Sequence, residues 1–262
     1  GLLNKGLRLT PPQREAGVVS FSAGNAALGL AYAAAQGGTE ATVFVPEGAS
    51  RNKVAAARDY GAKIVMVDGL AALRARAEAL AAETGRTLIH PYDDPELMMG
   101  HASLGLELFE DLPDLGTIVT AIGGGGMAGG LALATRASGR QDVRLIGVEP
   151  QGADHMRRSL EAGRAVAFAG ASVAEGLAPP MAGQHCFDLI QPSFAEVALV
   201  SDSEIVAAMI EILTNLKILA EPSGSTAMAG VLSGRIGLDS RRPTVVIVSG
   251  GNIDIARLKQ LL

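Results

Sequence analysis

Short apolar runs alternate with longer Ala-rich stretches along most of the chain. Val18-Val19-Ser20-Phe21, Ala41-Thr42-Val43-Phe44-Val45 and residues 63–67 read as strands, the second closed by Pro46. Residues 26–36, 51–60 and 70–83 read as helices, with Ser50 placed to cap the second. Thr87-Leu88-Ile89 is a short strand, and residues 95–109 form a helix with Asp94 as cap and Pro95 in the first turn. Residues 117–121 are a strand, 131–135 lie in a helix, and 144–148 are a strand again. Strands alternating with helices across connections of a few residues predict a parallel α/β protein.

The rhythm weakens near residues 163–200, where Pro179-Pro180 falls and short strands are expected at 187–190 and 197–200. Ser201-Asp202-Ser203-Glu204 has the form of a capping box and opens a helix expected to reach about Leu219. Another helix follows Glu221-Pro222, and residues 244–248 form a last strand that runs into Ser249. The first three strand–helix units make a small lobe of residues 17–94, set into a larger lobe made of residues 1–16 and 95–262.

Between the strand at 117–121 and its helix stand Ile122-Gly123-Gly124-Gly125-Gly126-Met127. Consecutive glycines at a helix start leave bare N–H groups beside the positive end of the helix dipole, which suits a phosphate. Ser22-Ala23-Gly24-Asn25 and Ser249-Gly250-Gly251-Asn252 are further polar glycine turns, each directly after a strand. Ligands of open α/β sheets sit beyond the carboxyl ends of strands, so three such turns are expected to serve one site. Taken alone, Gly124, Gly126 and Gly129 also fit G-x-G-x-x-G, with Glu149 ending the next strand as the ribose-binding acid of a nicotinamide enzyme.

Composition narrows the partners. The formal net charge is −5 and basic pairs occur only at Arg157-Arg158 and Arg241-Arg242, which argues against nucleic acid and anionic membranes. The uncharged stretch 115–135 is divided by its glycines into strand and helix, so it does not read as a membrane span. The single cysteine, Cys186, allows no internal disulfide, and the start has no signal-peptide layout; a cytoplasmic protein is expected.

Taken together, the motifs resemble the fold-type II pyridoxal-phosphate enzymes of the threonine/serine dehydratase (ammonia-lyase) and serine racemase group. The resemblance rests on Ser22-Ala23-Gly24-Asn25, residues 90–94 (His-Pro-Tyr-Asp-Asp), the tetraglycine-Met loop, Val148-Glu149-Pro150, Glu221-Pro222-Ser223-Gly224 and Ser249-Gly250-Gly251-Asn252, in that order. It implies a two-domain architecture like the tryptophan synthase β subunit, a pyridoxal 5'-phosphate cofactor, a small amino-acid substrate and a homodimer or homotetramer. It implies that Gly123, Gly124, Gly125, Gly126 and Met127 hold the phosphate. Asn25 would meet the ring hydroxyl, Ser22 the substrate carboxylate, and Ser249 with Gly250 the ring nitrogen; Glu221 joins Ser22 and Asn25 among the catalytic residues. The implied reaction is elimination of water from L-threonine or L-serine, giving a 2-oxo acid and ammonia.

Three departures accompany the resemblance. The Schiff-base lysine of the group is expected just ahead of Gly1, and none of Lys5, Lys53, Lys63, Lys217 and Lys259 has its sequence context. A catalytically impaired binding protein is therefore a second reading. Ala26 stands where dehydratases often carry histidine, and Ala23 where racemases carry an acid/base serine, which favours elimination. Some members bind a divalent cation at positions that are here Glu149, the Ala153 carbonyl and His155, and an imidazole suits Mg²⁺ or Ca²⁺ poorly.

Overall fold

The computed structural model describes residues 1–22 and 24–262; Ala23 lies outside the described residues. The chain divides into two compact units, Gly1–Gly100 and His101–Leu262.

The first unit opens with helices α1 (Leu2–Leu7) and α2 (Pro11–Ala16). Strand β1 (Val18–Phe21), helix α3 (Asn25–Gly37), β2 (Ala41–Pro46), α4 (Arg51–Asp59), β3 (Lys63–Val67), α5 (Leu70–Thr84) and β4 (Thr87–Leu88) follow; α6 (Pro95–Asp111) starts in this unit, which ends at Gly100. The strands are parallel in the order β3-β2-β1-β4, with Val18 opposite both Ala41 and Thr87. Successive strand residues face opposite sides of the sheet. Val43 and Val45 accordingly pack with Leu30 and Ile89, while Phe44 packs with Val19, Val67 and Leu73. Burial on both faces is why β2 is a continuous apolar run. The caps read from sequence are formed: Ser50 accepts the Lys53 N–H, and Asp94 accepts those of Glu96 and Leu97.

Residues 1–16, expected in the larger lobe, belong to this first unit. Gly6 has no side chain to hold α1 off α3; a Cβ there would lie 3.4 Å from that of Ala33. Lys5 ties the same helix to Asp94 and Glu96 at 3.1 and 2.6 Å.

The second unit contains β5 (Thr117–Ala121), α7 (Gly126–Ala137), β6 (Arg144–Pro150), α8 (His155–Ala162), α9 (Gln184–Ile190), β7 (Phe194–Val200), α10 (Asp202–Glu211), α11 (Pro222–Leu232), β8 (Thr244–Val246) and α12 (Ile255–Leu261). Its strands are parallel in the order β7-β6-β5-β8. Val119, Ile146 and Val148 pack on one face with Ala227 of α11, and Ile118 and Leu145 on the other with Leu131 of α7.

Two sequence expectations fail here. The run 187–190 is helix α9, not strand: Cys186, Phe187 and Ile190 lie on one buried helical face, and so short an apolar run does not itself distinguish the two structures. The helix from the Ser201 capping box stops early. After α10 the chain makes a π turn at Ile212–Leu216, and Lys217 at φ +58° ends it in the left-handed region. Among the described residues, no helix is long and apolar enough to cross a membrane.

Candidate active site

Strand β5 is buried throughout and delivers the chain straight into the glycines. Helix α7 starts at Gly126, and its N-cap, Gly125, has φ +100°. A side chain at 125 would be strained, and its Cβ would lie 2.7 Å from that of Cys186. The first rung of the helix is the Gly129 N–H donating to the Gly125 carbonyl at 2.7 Å. The N–H groups of Gly126, Met127 and Ala128 therefore lie ahead of the ladder, and no side chain caps them.

The two preceding carbonyls are tied back into the protein. The Gly123 oxygen lies 2.7 Å from His155 Nε2, and the Gly124 oxygen accepts the Gly183 N–H at 3.0 Å. A trans peptide holds its N–H opposite its C=O, so the N–H groups of Gly124 and Gly125 point away from those anchors. Among the described residues, the N–H groups of Gly124, Gly125 and Gly126 meet no acceptor from the chain. Such a nest of donors, at the positive end of a 12-residue helix, can hold a phosphate dianion. The Met127 side chain is turned from the loop into the core around Ile118 and Leu131.

The other motifs of this unit gather around α11. Glu221, buried, is its N-cap, and the Glu221 N–H donates to the Gly250 carbonyl at 3.1 Å. Gly224, one turn on, lies against the carbonyl oxygens of Ser249 and Gly250, with no space for a side chain. Ser223 Oγ accepts the Gly176 N–H at 3.1 Å. The Gly176 carbonyl in turn lies against Gly123, where a Cβ would come within 3.0 Å. Ser249 is half-buried, three residues beyond β8, which ends at Val246 and not at 248 as the sequence predicts. Gly176 and Gly183 were not legible as site residues: single glycines outside a strand-to-helix turn carry no signal.

In the first unit, Ser22 follows β1 at the carboxyl edge of its sheet. Its N–H donates to the Phe44 carbonyl at 3.0 Å, and its Oγ accepts the Gly24 N–H at 3.2 Å. Asn25 is the first residue of α3 and is exposed; Ala23, between them in the motif, is outside the described residues.

Glu149, near the end of β6, is fully buried. Its two oxygens accept the N–H groups of Met156 and Arg157 at 2.9 and 2.8 Å, so the carboxylate caps α8. Burial pushes its carboxyl up to about 8, against those two hydrogen bonds, which favour the charged form. The His155 ring is also fully buried, and its Nε2 lies 3.5 Å from Glu149 Oε1; burial lowers the imidazole's pKa. The Ala153 N–H bonds the Pro150 carbonyl, within the same turn. Among the described residues no group of three His, Cys, Asp or Glu side chains is placed to hold a metal. Nor has Glu149 any exposed surface to offer a ribose hydroxyl, which removes the acid that the nicotinamide reading needs.

A cleft of about 680 Å³ lies at the opposite, amino edge of this sheet, lined by Asp114, Arg140, Asp142, Arg241 and Arg242 among others. Its arginines are already paired: Arg242 and Arg140 both bond Asp142, at 2.6 and 3.0 Å.

A strand–tetraglycine–helix turn with uncapped donors at the carboxyl edge of a parallel sheet is the kind of turn by which an α/β protein holds a phosphorylated ligand. The chain belongs to the pyridoxal-phosphate dependent enzyme family, whose model matches residues 1–250. It is 40% identical over 253 residues to the L-threonine ammonia-lyase of Geobacter sulfurreducens, covering 94% of this chain and 62% of that protein. It is 35% identical over 264 residues to the catabolic L-threonine dehydratase of Escherichia coli, covering all of this chain and 80% of that protein. Among solved structures, maize serine racemase superposes with a TM-score of 0.92 at 33% identity, covering 99% of this chain and 80% of the other. The chain thus spans less than two thirds of the length of the Geobacter relative.

The donor set fits the cofactor's phosphate, as the unpaired N–H groups show. The aldehyde's partner is a separate question. Lys5 is held by Asp94 and Glu96, Lys53 lies in α4, Lys63 in β3 and Lys259 in α12, and Lys217 ends the π turn.

Proposed function

We propose that this chain forms the body of an ammonia-lyase that removes water and then ammonia from L-threonine or L-serine. The single observation that carries the reading is the tetraglycine turn, whose carbonyls are anchored and whose N–H groups are left open. Its support is the kinship with two threonine-deaminating enzymes. Pyridoxal phosphate, when bound, supplies an electron sink conjugated to the amino acid's α-carbon.

The chain's own residues act around that group. The N–H groups of Gly124, Gly125 and Gly126 bind the phosphate, with Gly123 and Met127 completing the turn. Ser249, with Gly250, faces the ring nitrogen. A serine hydroxyl is neutral and cannot stabilise a positive ring as an aspartate would, so negative charge gathered at the α-carbon is weakly held. That favours immediate loss of the β-hydroxyl over return of the proton. Asn25 meets the ring hydroxyl, and Ser22 with its turn binds the substrate carboxylate. Glu221, held at the mouth of α11, serves the reacting groups as acid or base. Ala23 offers no hydroxyl to reprotonate the opposite face, so racemisation is disfavoured. None of the chain's five lysines has the sequence context of the family's Schiff-base lysine, so the test supplies one. We assign the enzyme to the cytoplasm as a homodimer or homotetramer.

The test is production of 2-oxobutanoate from L-threonine, and of pyruvate from L-serine, with added pyridoxal phosphate, by the 262-residue chain and by the chain extended with a family lysine segment. The extended protein should bind cofactor and release the 2-oxo acid. Cofactor binding with neither amino acid consumed would retain the family and remove the substrate assignment. No cofactor bound by either protein would remove the reading of the glycine turn.

A further inference from the structure

We propose that His155 is a positioning residue of the phosphate loop: its Nε2–H holds the Gly123 carbonyl and thereby aims the Gly124 N–H at the cofactor's phosphate. The inference rests on the reading of the glycine turn as the phosphate site.

The argument starts from glycine's freedom. Four consecutive glycines have no side chains to restrict φ and ψ, so the loop alone does not fix where its N–H groups point. Order must come from what the loop carbonyls touch. The Gly125 carbonyl is fixed by the first rung of α7, and the Gly124 carbonyl by the Gly183 N–H at 3.0 Å. The Gly123 carbonyl has a side-chain partner, His155 Nε2 at 2.7 Å. Each anchor sets one peptide plane, and each plane sets one N–H on its far side. His155 governs the plane that carries the Gly124 donor.

The imidazole is itself well placed for this work. The ring is fully buried at the start of α8. A carbonyl oxygen only accepts, so the contact with Gly123 is made by a ring nitrogen that carries a proton. Glu149 fixes the turn that presents the ring: its two oxygens take the N–H groups of Met156 and Arg157, the residues directly after His155. A buried nitrogen left unpaired costs free energy, and the bond to the loop is what the ring gains at this position. The side chain thus spans from the cap of α8 to the mouth of α7, without itself touching the phosphate.

The experiment compares His155→Leu, His155→Gln and His155→Asn in the 262-residue chain. Binding of inorganic phosphate is followed by phosphorus NMR, binding of pyridoxal phosphate and of phosphate-free pyridoxal by absorbance, and thermal midpoints are measured alongside. Glutamine carries an N–H donor at about the reach of Nε2; asparagine is as polar but an atom too short. Leucine and asparagine should weaken phosphate and pyridoxal phosphate by roughly tenfold, the scale of one lost hydrogen bond. Glutamine should restore binding to within about threefold of the parent. Pyridoxal should bind all four proteins alike. If glutamine and asparagine bind phosphate equally well, or if phosphate and pyridoxal weaken together with the thermal midpoint, the positioning role is overturned. Should leucine prevent folding, the glutamine–asparagine contrast decides alone. A parent chain that binds neither phosphate nor pyridoxal phosphate overturns the phosphate-site reading and this inference with it; a parent that binds both, with all variants unchanged, overturns only the inference.

Discussion

Gly224 and Ser249 are in backbone contact: the α-carbon near the start of α11 lies directly against the carbonyl oxygen that follows β8, and any side chain on Gly224 would overlap it. The contact joins two motifs that are 25 residues apart in sequence, and the Glu221 N–H, bonded to the Gly250 carbonyl at 3.1 Å, reinforces it.

Gly224→Ala should push the Ser249 turn away from α11. Overpacking at a rigid backbone contact costs about 1–3 kcal/mol. Denaturant unfolding should show that loss, and the affinity for pyridoxal phosphate should fall with it. Unchanged stability and affinity would mean that the turn can give way freely, and that Ser249 is not held in place by α11.

Gly125→Ala tests the phosphate turn. Alanine at φ +100° costs about 1–2 kcal/mol from backbone strain alone, before its contact with Cys186. Stability should drop by at least that amount, and binding of inorganic phosphate should be lost. Phosphate bound as tightly by the variant would place the anion elsewhere.

His90 gives the first unit a pH dependence. Its Nδ1 accepts the N–H groups of Asp93 and Tyr92 at 2.9 and 3.4 Å, which requires an unprotonated nitrogen. Burial lowers its pKa from 6.5 to about 4. The unfolded chain therefore takes up the proton first as pH falls. The stability that His90 contributes is complete above 6.5 and is lost as the pH drops toward 4. Urea unfolding across that window should show the loss. His90→Asn, whose side-chain oxygen can accept the same N–H groups, should show a shallower decline than the parent; parallel curves would assign the pH dependence to other groups.

Lys5 should not capture the cofactor. Burial pulls its amine down, but hydrogen bonds and charge from Glu96 and Asp94 outweigh that and hold it above its ordinary value. A protonated amine is no nucleophile. Borohydride treatment of the 262-residue chain with pyridoxal phosphate, followed by peptide mapping, should find no modified Lys5. A stable adduct there would overturn both the ion-pair reading and the alignment of the chain's start.

Legibility in the sequence followed locality. The strands at 18–21, 63–67 and 117–121 were marked by apolar runs and turn residues, which act within a few positions, and the structure has them at those bounds. The glycine turn was legible as a strand-to-helix turn because consecutive glycines there carry a local signature; the Ser249 turn stands in a longer connection, between Val246 and Ile255, whose length the sequence did not reveal. The identity of 187–190 was not, because only its packing under Gly125 decides for helix. The place of residues 1–16 depended on Gly6 fitting against Ala33, a contact no local pattern announces. His155 was noticed as an awkward metal ligand; its bond to Gly123 spans 32 residues and appears only in three dimensions.

The order of strands in the second sheet also has a consequence for the chain as it is made. β5 sits beside β8, with Thr117 opposite Thr244, so its outer neighbour is separated from it by more than a hundred residues. In the first sheet the longest such pairing, Val18 with Thr87, is much shorter. Distant pairings close late because the intervening loop must be ordered before the contact rewards it. During synthesis the first sheet can assemble while the second is still open at one side. The apolar edge of β5 then waits until Thr244 to Val246 have emerged. The Ser249 turn, which lies beyond β8, likewise forms only after that strand has arrived.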